Sequence, residues 1–172
     1  MQRLIHLFLL FYLLSACSTI TTVEETRPVK SIPIHFVNLN SNEQRKILIT
    51  EAQKLKGKKY KYGGTTPKGF DCSGFTSYVY QQIDITLPRS SSAQSQNGKK
   101  ITAGAAQPGD LLFFKLSQKG KISHVAMVVS NDKDGLEVIH STTSRGVIQE
   151  KIDNSTYWAE KLLYGRNYID AL

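Results

Sequence analysis

The sequence predicts an α+β domain in which N-terminal helices pack on an antiparallel sheet of about five to six strands. Two observations predict it. Apolar residues recur at helical spacing in the first half of the chain, and short runs of branched and aromatic residues bounded by turn signals fill the second. A length of 172 residues with 40% apolar content then suits one ordinary domain with short appendages. The expected divisions are an export signal over 1–16, a tether over 17–40 and the folded domain over 41–172.

Met1-Gln2-Arg3 supplies one positive charge, Leu4 to Leu14 is an almost unbroken apolar run of eleven residues, and Ser15-Ala16 are small. That is the pattern of a secretory signal peptide. The run falls well short of the ~20 residues a helix needs to cross a bilayer. Leu14-Ser15-Ala16-Cys17 resembles the bacterial lipobox, which implies cleavage before Cys17, a lipid on its sulfur and attachment to a membrane; the alternative is an ordinary signal peptide with a cysteine near its cut site. Ser18 stands where an aspartate would signal inner-membrane retention, so if the cell is Gram-negative the expected location is the outer membrane, facing the periplasm. Residues 18–40, with Pro28 and Pro33 and no sustained periodicity, suit a tether. Extended, it would reach on the order of 70 Å.

Ser41-Asn42-Glu43-Gln44 has the S-x-x-Q form of a capping box, and Leu48, Ala52 and Leu55 follow at helical spacing, predicting a helix over 42–56 that ends at Gly57. Gly63-Gly64, Pro67 and Gly69 then form a loop. Phe75, Tyr78, Val79 and Ile83 recur at three and four residues, so a second helix starts near Cys72. Leu87-Pro88 breaks the chain, a short helix over 90–97 is stopped by Gly98, and Gln107-Pro108-Gly109 turns it. Strands are predicted over 110–115, 121–130, 136–141, 146–152 and 162–169.

The chain contains two cysteines, Cys17 and Cys72, in a protein addressed to a compartment where disulfides persist. If Cys17 carries lipid, Cys72 has no partner, and a lone exported thiol is either an inert buried group or a reactive one. Cys72 falls at a helix N-terminus, where free backbone N–H groups favour a thiolate. Amide cleavage also needs a base that later protonates the leaving nitrogen, usually a histidine. His6 lies in the signal and His35 in the tether, leaving His124 and His140 on two predicted strands. The turn Asn131-Asp132-Lys133-Asp134-Gly135 joins those strands. With Ser130 opposite Leu136, His124 faces position 142 and lies diagonal to His140, placing both imidazoles on one face; a one-residue slip would separate them. Cysteine, base and orienting group follow the logic of a catalytic triad.

Six segments stand in order along the chain: YKYGG at 60–64, P-x-GFDCSGF at 67–75, LPRSSSAQ at 87–94, QPGDLLFF at 107–114, ISHVAMVV at 122–129 and VIHS at 138–141. Through them the sequence, from about Tyr60 to the last strand, resembles the NlpC-type cell-wall peptidases, papain-like cysteine enzymes that hydrolyse peptidoglycan stem peptides. The resemblance implies a papain-like fold with Cys72 as nucleophile, His124 as general base and then acid, and His140 as the residue that orients His124. Tyr60 matches a tyrosine that assists the oxyanion or substrate. Asp71 and Ser73 match positions that in some members hold the free amine of a stem peptide, Asp71 being otherwise a helix cap and Ser73 a first-turn residue. Arg89 would line the cleft, either binding a carboxylate or standing solvated. Gly74 is expected to let the nucleophile helix approach the sheet closely. Members with defined stem specificity often carry a wall-binding domain that this chain has no room for, which leaves two bonds open: D-glutamyl to meso-diaminopimelate and meso-diaminopimelate to D-alanine.

The resemblance calls for no metal or organic cofactor. A net charge of +8, or +7 once Arg3 leaves with the signal, suits acidic partners such as stem-peptide carboxylates as well as a solvated lysine-rich surface. No Arg-rich helix or base-stacking motif supports nucleic acid. The expected partners are therefore peptidoglycan stem peptides and the membrane holding Cys17, with the enzyme a monomer. Two other classes stay open: an amidase or acyltransferase of related fold, and a wall-binding lipoprotein without turnover.

Overall fold

A computed structural model describes residues 39–116 and 120–170. The segment expected to be an export signal, Cys17 with its expected lipid, His6, His35 and the expected tether up to residue 38 lie outside the described residues.

Helix α1 spans Ser41–Lys54, and its capping box is one residue earlier than the sequence suggests. The Glu43 N–H donates to Asn40 Oδ1 at 3.1 Å, and the Asn40 N–H donates to Glu43 Oε2 at 3.0 Å. Asn40 wins over Ser41 because it has a carboxylate three residues on to complete the reciprocal pair. From α1, Arg45 reaches across the molecule to Asp110 at 2.9 Å and Asp170 at 2.8 Å, tying this helix to the turn before the sheet and to the C-terminus.

A small hairpin follows, β1 (Thr65–Thr66) on β2 (Gly69–Phe70), too short to leave a periodicity in the sequence. Helix α2 runs from Cys72 to Tyr80, followed by one 3-10 turn over Gln81–Ile83. Helix α3 is only Ser91–Gln94, capped by Ser90, shorter than the predicted 90–97. Next come β3 (Lys99–Ile101), β4 (Leu111–Phe114), β5 (His124–Asp132), β6 (Gly135–Thr142), β7 (Gly146–Lys151), the short helix α4 (Thr156–Ala159) and β8 (Leu162–Asn167). β3 and α4 were not predicted. β3 is a three-residue edge strand carrying two lysines, and its state is set by pairing with β8.

The six strands β3-β8-β4-β5-β6-β7 form one antiparallel sheet, within the predicted number. All four residues of β4 are buried, because each face of the sheet has its own core. Leu111, Phe113, Val125, Met127 and Ile139 pack with Leu48, Phe75, Val79 and Tyr80 of the helices. Leu112, Phe114, Ala126, Val128 and Val138 pack with Ile152 and Trp158 on the opposite side. Each such Leu, Phe or Val contributes about 1.5–3 kcal/mol on full burial.

The β5–β6 hairpin decides where the histidines go. Its turn is tighter than expected, with Asp132 opposite Gly135, Asn131 opposite Leu136 and Ser130 opposite Glu137 instead of Leu136. Carried along the strands, that register would put His124 and His140 on opposite faces. An irregularity between Val128 and Ser130 absorbs one residue, so that Val128 faces Val138 and Met127 faces Ile139. Both imidazoles thereby fall on the side of Trp158.

Candidate active site

Asp71 caps α2: its backbone is extended, and its carboxylate Oδ1 accepts the Gly74 N–H at 2.7 Å. Cys72 is thus the first residue of the helix. The loop before it is clamped at Gly64, whose carbonyl accepts the Asp71 N–H at 3.0 Å. A Cβ on Gly74 would collide with that same Gly64 carbonyl oxygen, so the glycine is needed for close approach to the loop, whereas the sequence suggested the sheet. Ser141 of β6 donates to the Phe70 carbonyl at 2.8 Å, which fixes the strand leading into Cys72 against the histidine-bearing hairpin.

Cys72 is half-buried, and burial pushes its thiol up. The Val125 N–H, and those of Ser73 and Cys72 itself, oppose the shift, while the neighbouring Asp71 carboxylate adds to it. The helix terminus expected to favour a thiolate is in place, but desolvation outweighs it, and the resting group is a thiol.

His124 and His140 are 5% and 0% exposed. His124 Nε2 lies 2.9 Å from His140 Nδ1, and His140 Nε2 lies 2.9 Å from Glu150 Oε1. The Trp158 ring stacks on His124, 5.4 Å between centroids with an interplanar angle of 24°. Burial, reinforced by the adjacent His140, lowers the pKa of His124 from 6.5 to about 3. Burial lowers His140 as well, against the opposing pull of Glu150. Both rings are neutral at neutral pH.

Cys72 and His124 face one cleft of about 410 Å³, which Tyr60, Ser141, Arg145 and Trp158 also line. A second depression of about 420 Å³ adjoins it, lined by Tyr60, Asp71, Cys72, Ser73 and Arg89. Tyr60 therefore stands between the two. Burial, with Cys72 and Asp71 nearby, pushes its hydroxyl up, so it is a donor at neutral pH. Arg89 spans both Asp71 oxygens and also donates to Ser73 Oγ at 3.1 Å. Its side chain is 48% exposed, yet it is committed to a partner rather than freely solvated. Burial pulls the Asp71 carboxyl up, but bonds from Arg89 and the Gly74 N–H outweigh it and keep the group ionised. All six candidate side chains of the domain other than His140 thus border one of the two connected depressions, and His140 backs them.

Three residues here were not singled out from the sequence: Glu150, Arg145 and Trp158. A glutamate near the end of a strand carries no local signal. Only the β6–β7 register, Val138 opposite Glu150 and His140 opposite Ile148, sets Glu150 diagonal to His140.

Residues 57–167 match the NlpC/P60 family. Over 170 residues the chain is 32% identical to murein DD-endopeptidase MepS/murein LD-carboxypeptidase of Escherichia coli (strain K12), an alignment covering 91% of this chain and 87% of that protein. It is 42% identical over 116 residues to gamma-DL-glutamyl hydrolase of Bacillus subtilis (strain 168), covering 66% of this chain and 27% of the relative. The chain thus spans about a quarter of the Bacillus subtilis protein's length. Among solved structures, an NlpC/P60 family protein from Bacillus cereus ATCC 10987 superposes with a TM-score of 0.66 at 38% identity, over 73% of this chain and 40% of that one.

Proposed function

The chain belongs to the NlpC/P60 family, and from that premise we propose that it is a peptidoglycan hydrolase, a cysteine endopeptidase cutting stem-peptide amide bonds. The observation that carries the reading is the 2.9 Å pairing of His124 with His140 beside a cleft that His124 shares with Cys72. Cys72 Sγ attacks the stem-peptide carbonyl carbon while its proton passes to the free nitrogen of His124. The same proton then goes to the leaving nitrogen as the amide C–N bond breaks, leaving a thioester on Cys72. His124 next deprotonates the water that opens the thioester, and the thiol is regenerated. Burial raises the thiol and lowers the imidazole, which disfavours a preformed thiolate–imidazolium pair. Tyr60 donates toward the developing oxyanion. His140 orients His124, and Asp71, Ser73 and Arg89 form the polar wall for the substrate.

The bond cut is the cross-link between meso-diaminopimelate and D-alanine. Support comes from the near-full-length match to the relative named a DD-endopeptidase, compared with a match to only 27% of the one named a gamma-DL-glutamyl hydrolase. Mass analysis of digested, defined muropeptides tests this. Conversion of cross-linked dimers to monomers is the expected result. Cleavage after D-glutamate, release of intact stems as by an amidase, or transfer to a lipid amine as by an acyltransferase would overturn it.

The mature protein begins at Cys17 and is held to the outer membrane by lipid on that residue, a reading supported by the Leu14-Ser15-Ala16-Cys17 run after an apolar segment. Intact mass of the membrane fraction should show a diacylglyceryl-modified N-terminal cysteine, and Cys17→Ser should lose both that modification and the cleavage before residue 17. An unmodified wild-type protein in the soluble fraction would refute the anchor.

A further inference from the structure

Resting on the proposed peptidase reading, we infer that Glu150 is a positioning residue whose carboxylate fixes the tautomers of both histidines, so that a lone pair of His124 faces Cys72. The argument is one of donors and acceptors. Burial pulls the Glu150 carboxyl up, but the bonds from His140 and Arg145 outweigh it, and the group is held below the usual range and ionised. An ionised carboxylate only accepts. At 2.9 Å from Glu150 Oε1, His140 Nε2 must therefore carry the proton, which leaves His140 Nδ1 with a lone pair. At 2.9 Å from that lone pair, His124 Nε2 must in turn be the donor. The remaining ring nitrogen of His124, Nδ1, is then unprotonated and free to accept from the thiol. Reversing any one proton in this chain would set two donors or two lone pairs against each other in a buried site.

Glu150 is itself held in place from two sides. Arg145 Nη2 donates to Oε1 at 2.9 Å and to Oε2 at 3.0 Å, and Trp158 Nε1 donates to Oε1 at 3.1 Å. The Arg145 charge offsets that of the carboxylate and itself disfavours a second cation at His140. The Glu150–Arg145 pair thus supplies an oriented acceptor with little net charge. Its role is to select a tautomer and a ring orientation through its bond to His140, from a position at the border of the cleft that Cys72 and His124 share. Trp158 couples the two functions, since its indole N–H anchors Glu150 while its ring packs on His124.

Histidine-ring ¹⁵N NMR of the whole domain reads the tautomers without turnover. Wild type should show His124 and His140 both protonated at Nε2. Glu150→Leu, which keeps bulk but removes the acceptor, should mix the tautomers and lower kcat on the order of 10- to 100-fold with KM changed less than about two-fold. Glu150→Gln keeps an acceptor oxygen and should restore the Nε2–H forms and most of kcat, which a role in packing alone would not distinguish from Glu150→Leu. A wild-type His124 protonated at Nδ1, full kcat and unchanged tautomers in Glu150→Leu, or a Gln variant as impaired as the Leu variant would overturn the inference. Full activity in Cys72→Ala would instead refute the peptidase reading, so the two failures are separable, and the wild-type spectrum decides the tautomers even if Glu150→Leu does not fold.

Discussion

Cys72→Ala is expected to abolish muropeptide cleavage while leaving thermal unfolding nearly unchanged. The loss should be on the order of 10⁴-fold or more, since removing a covalent nucleophile leaves only binding and whatever oxyanion stabilisation the cleft retains. Stability should hold because the cap of α2 is the Asp71 side chain, not Cys72, and the bond from the Gly74 N–H is untouched. Alanine is also the better helix former, and the thiol it replaces is only half-buried. The measurement is product formation by mass analysis alongside a melting curve. Activity at wild-type level would remove the nucleophile assignment, and loss of activity together with loss of folding would remove the claim that Cys72 is dispensable for structure.

Substitution of the two histidines should give unequal losses. His124→Ala removes the group that takes and returns the proton and should cost about 10²- to 10⁴-fold in kcat. His140→Ala removes an orienting partner and should cost roughly 10- to 100-fold. Similar, negligible losses would sink the triad. His124 also carries a pH signature. Its pKa is about 3 in the fold against 6.5 when unfolded, so between these values the unfolded chain binds a proton that the folded one does not. Its contribution to stability is therefore complete above pH 6.5 and is lost as pH falls, at up to about 1.4 kcal/mol per pH unit. Denaturant unfolding of wild type and His124→Ala between pH 6.5 and about 5 checks this. The variant should show the shallower dependence, and parallel curves would show that the imidazole is not held neutral by burial.

Much of the fold was legible because its main signals are local. The apolar spacing of Leu48, Ala52 and Leu55 marks α1, and Phe75, Val79 and Ile83 mark the helix that starts at Cys72. The runs at Leu111–Phe114 and His124–Asp132 can be read as strands because their branched and aromatic residues alternate between two buried faces. Where the sequence reading missed, the cause was a competing partner. At α1, Asn40 outcompeted Ser41 for the cap because Glu43 could reciprocate. The edge strand Lys99–Ile101 exists because β8 pairs with it, which its own residues do not announce.

By itself the sequence determined the order of elements, the placement of Cys72 at a helix start and the presence of two histidines on neighbouring strands, since each follows from spacing along the chain. Tertiary structure alone decided three things. The irregularity near Val129 puts both imidazoles on one face, a matter of register between strands. Burial around Cys72 and His124 leaves both neutral, a matter of what is packed over them. Glu150 reaches His140 from the next strand, with Arg145 and Trp158 holding it there. The physical reason is common to all three: strand register, desolvation and cross-strand hydrogen bonding are set by how the strands pair and what packs over them, which spacing along the chain does not show.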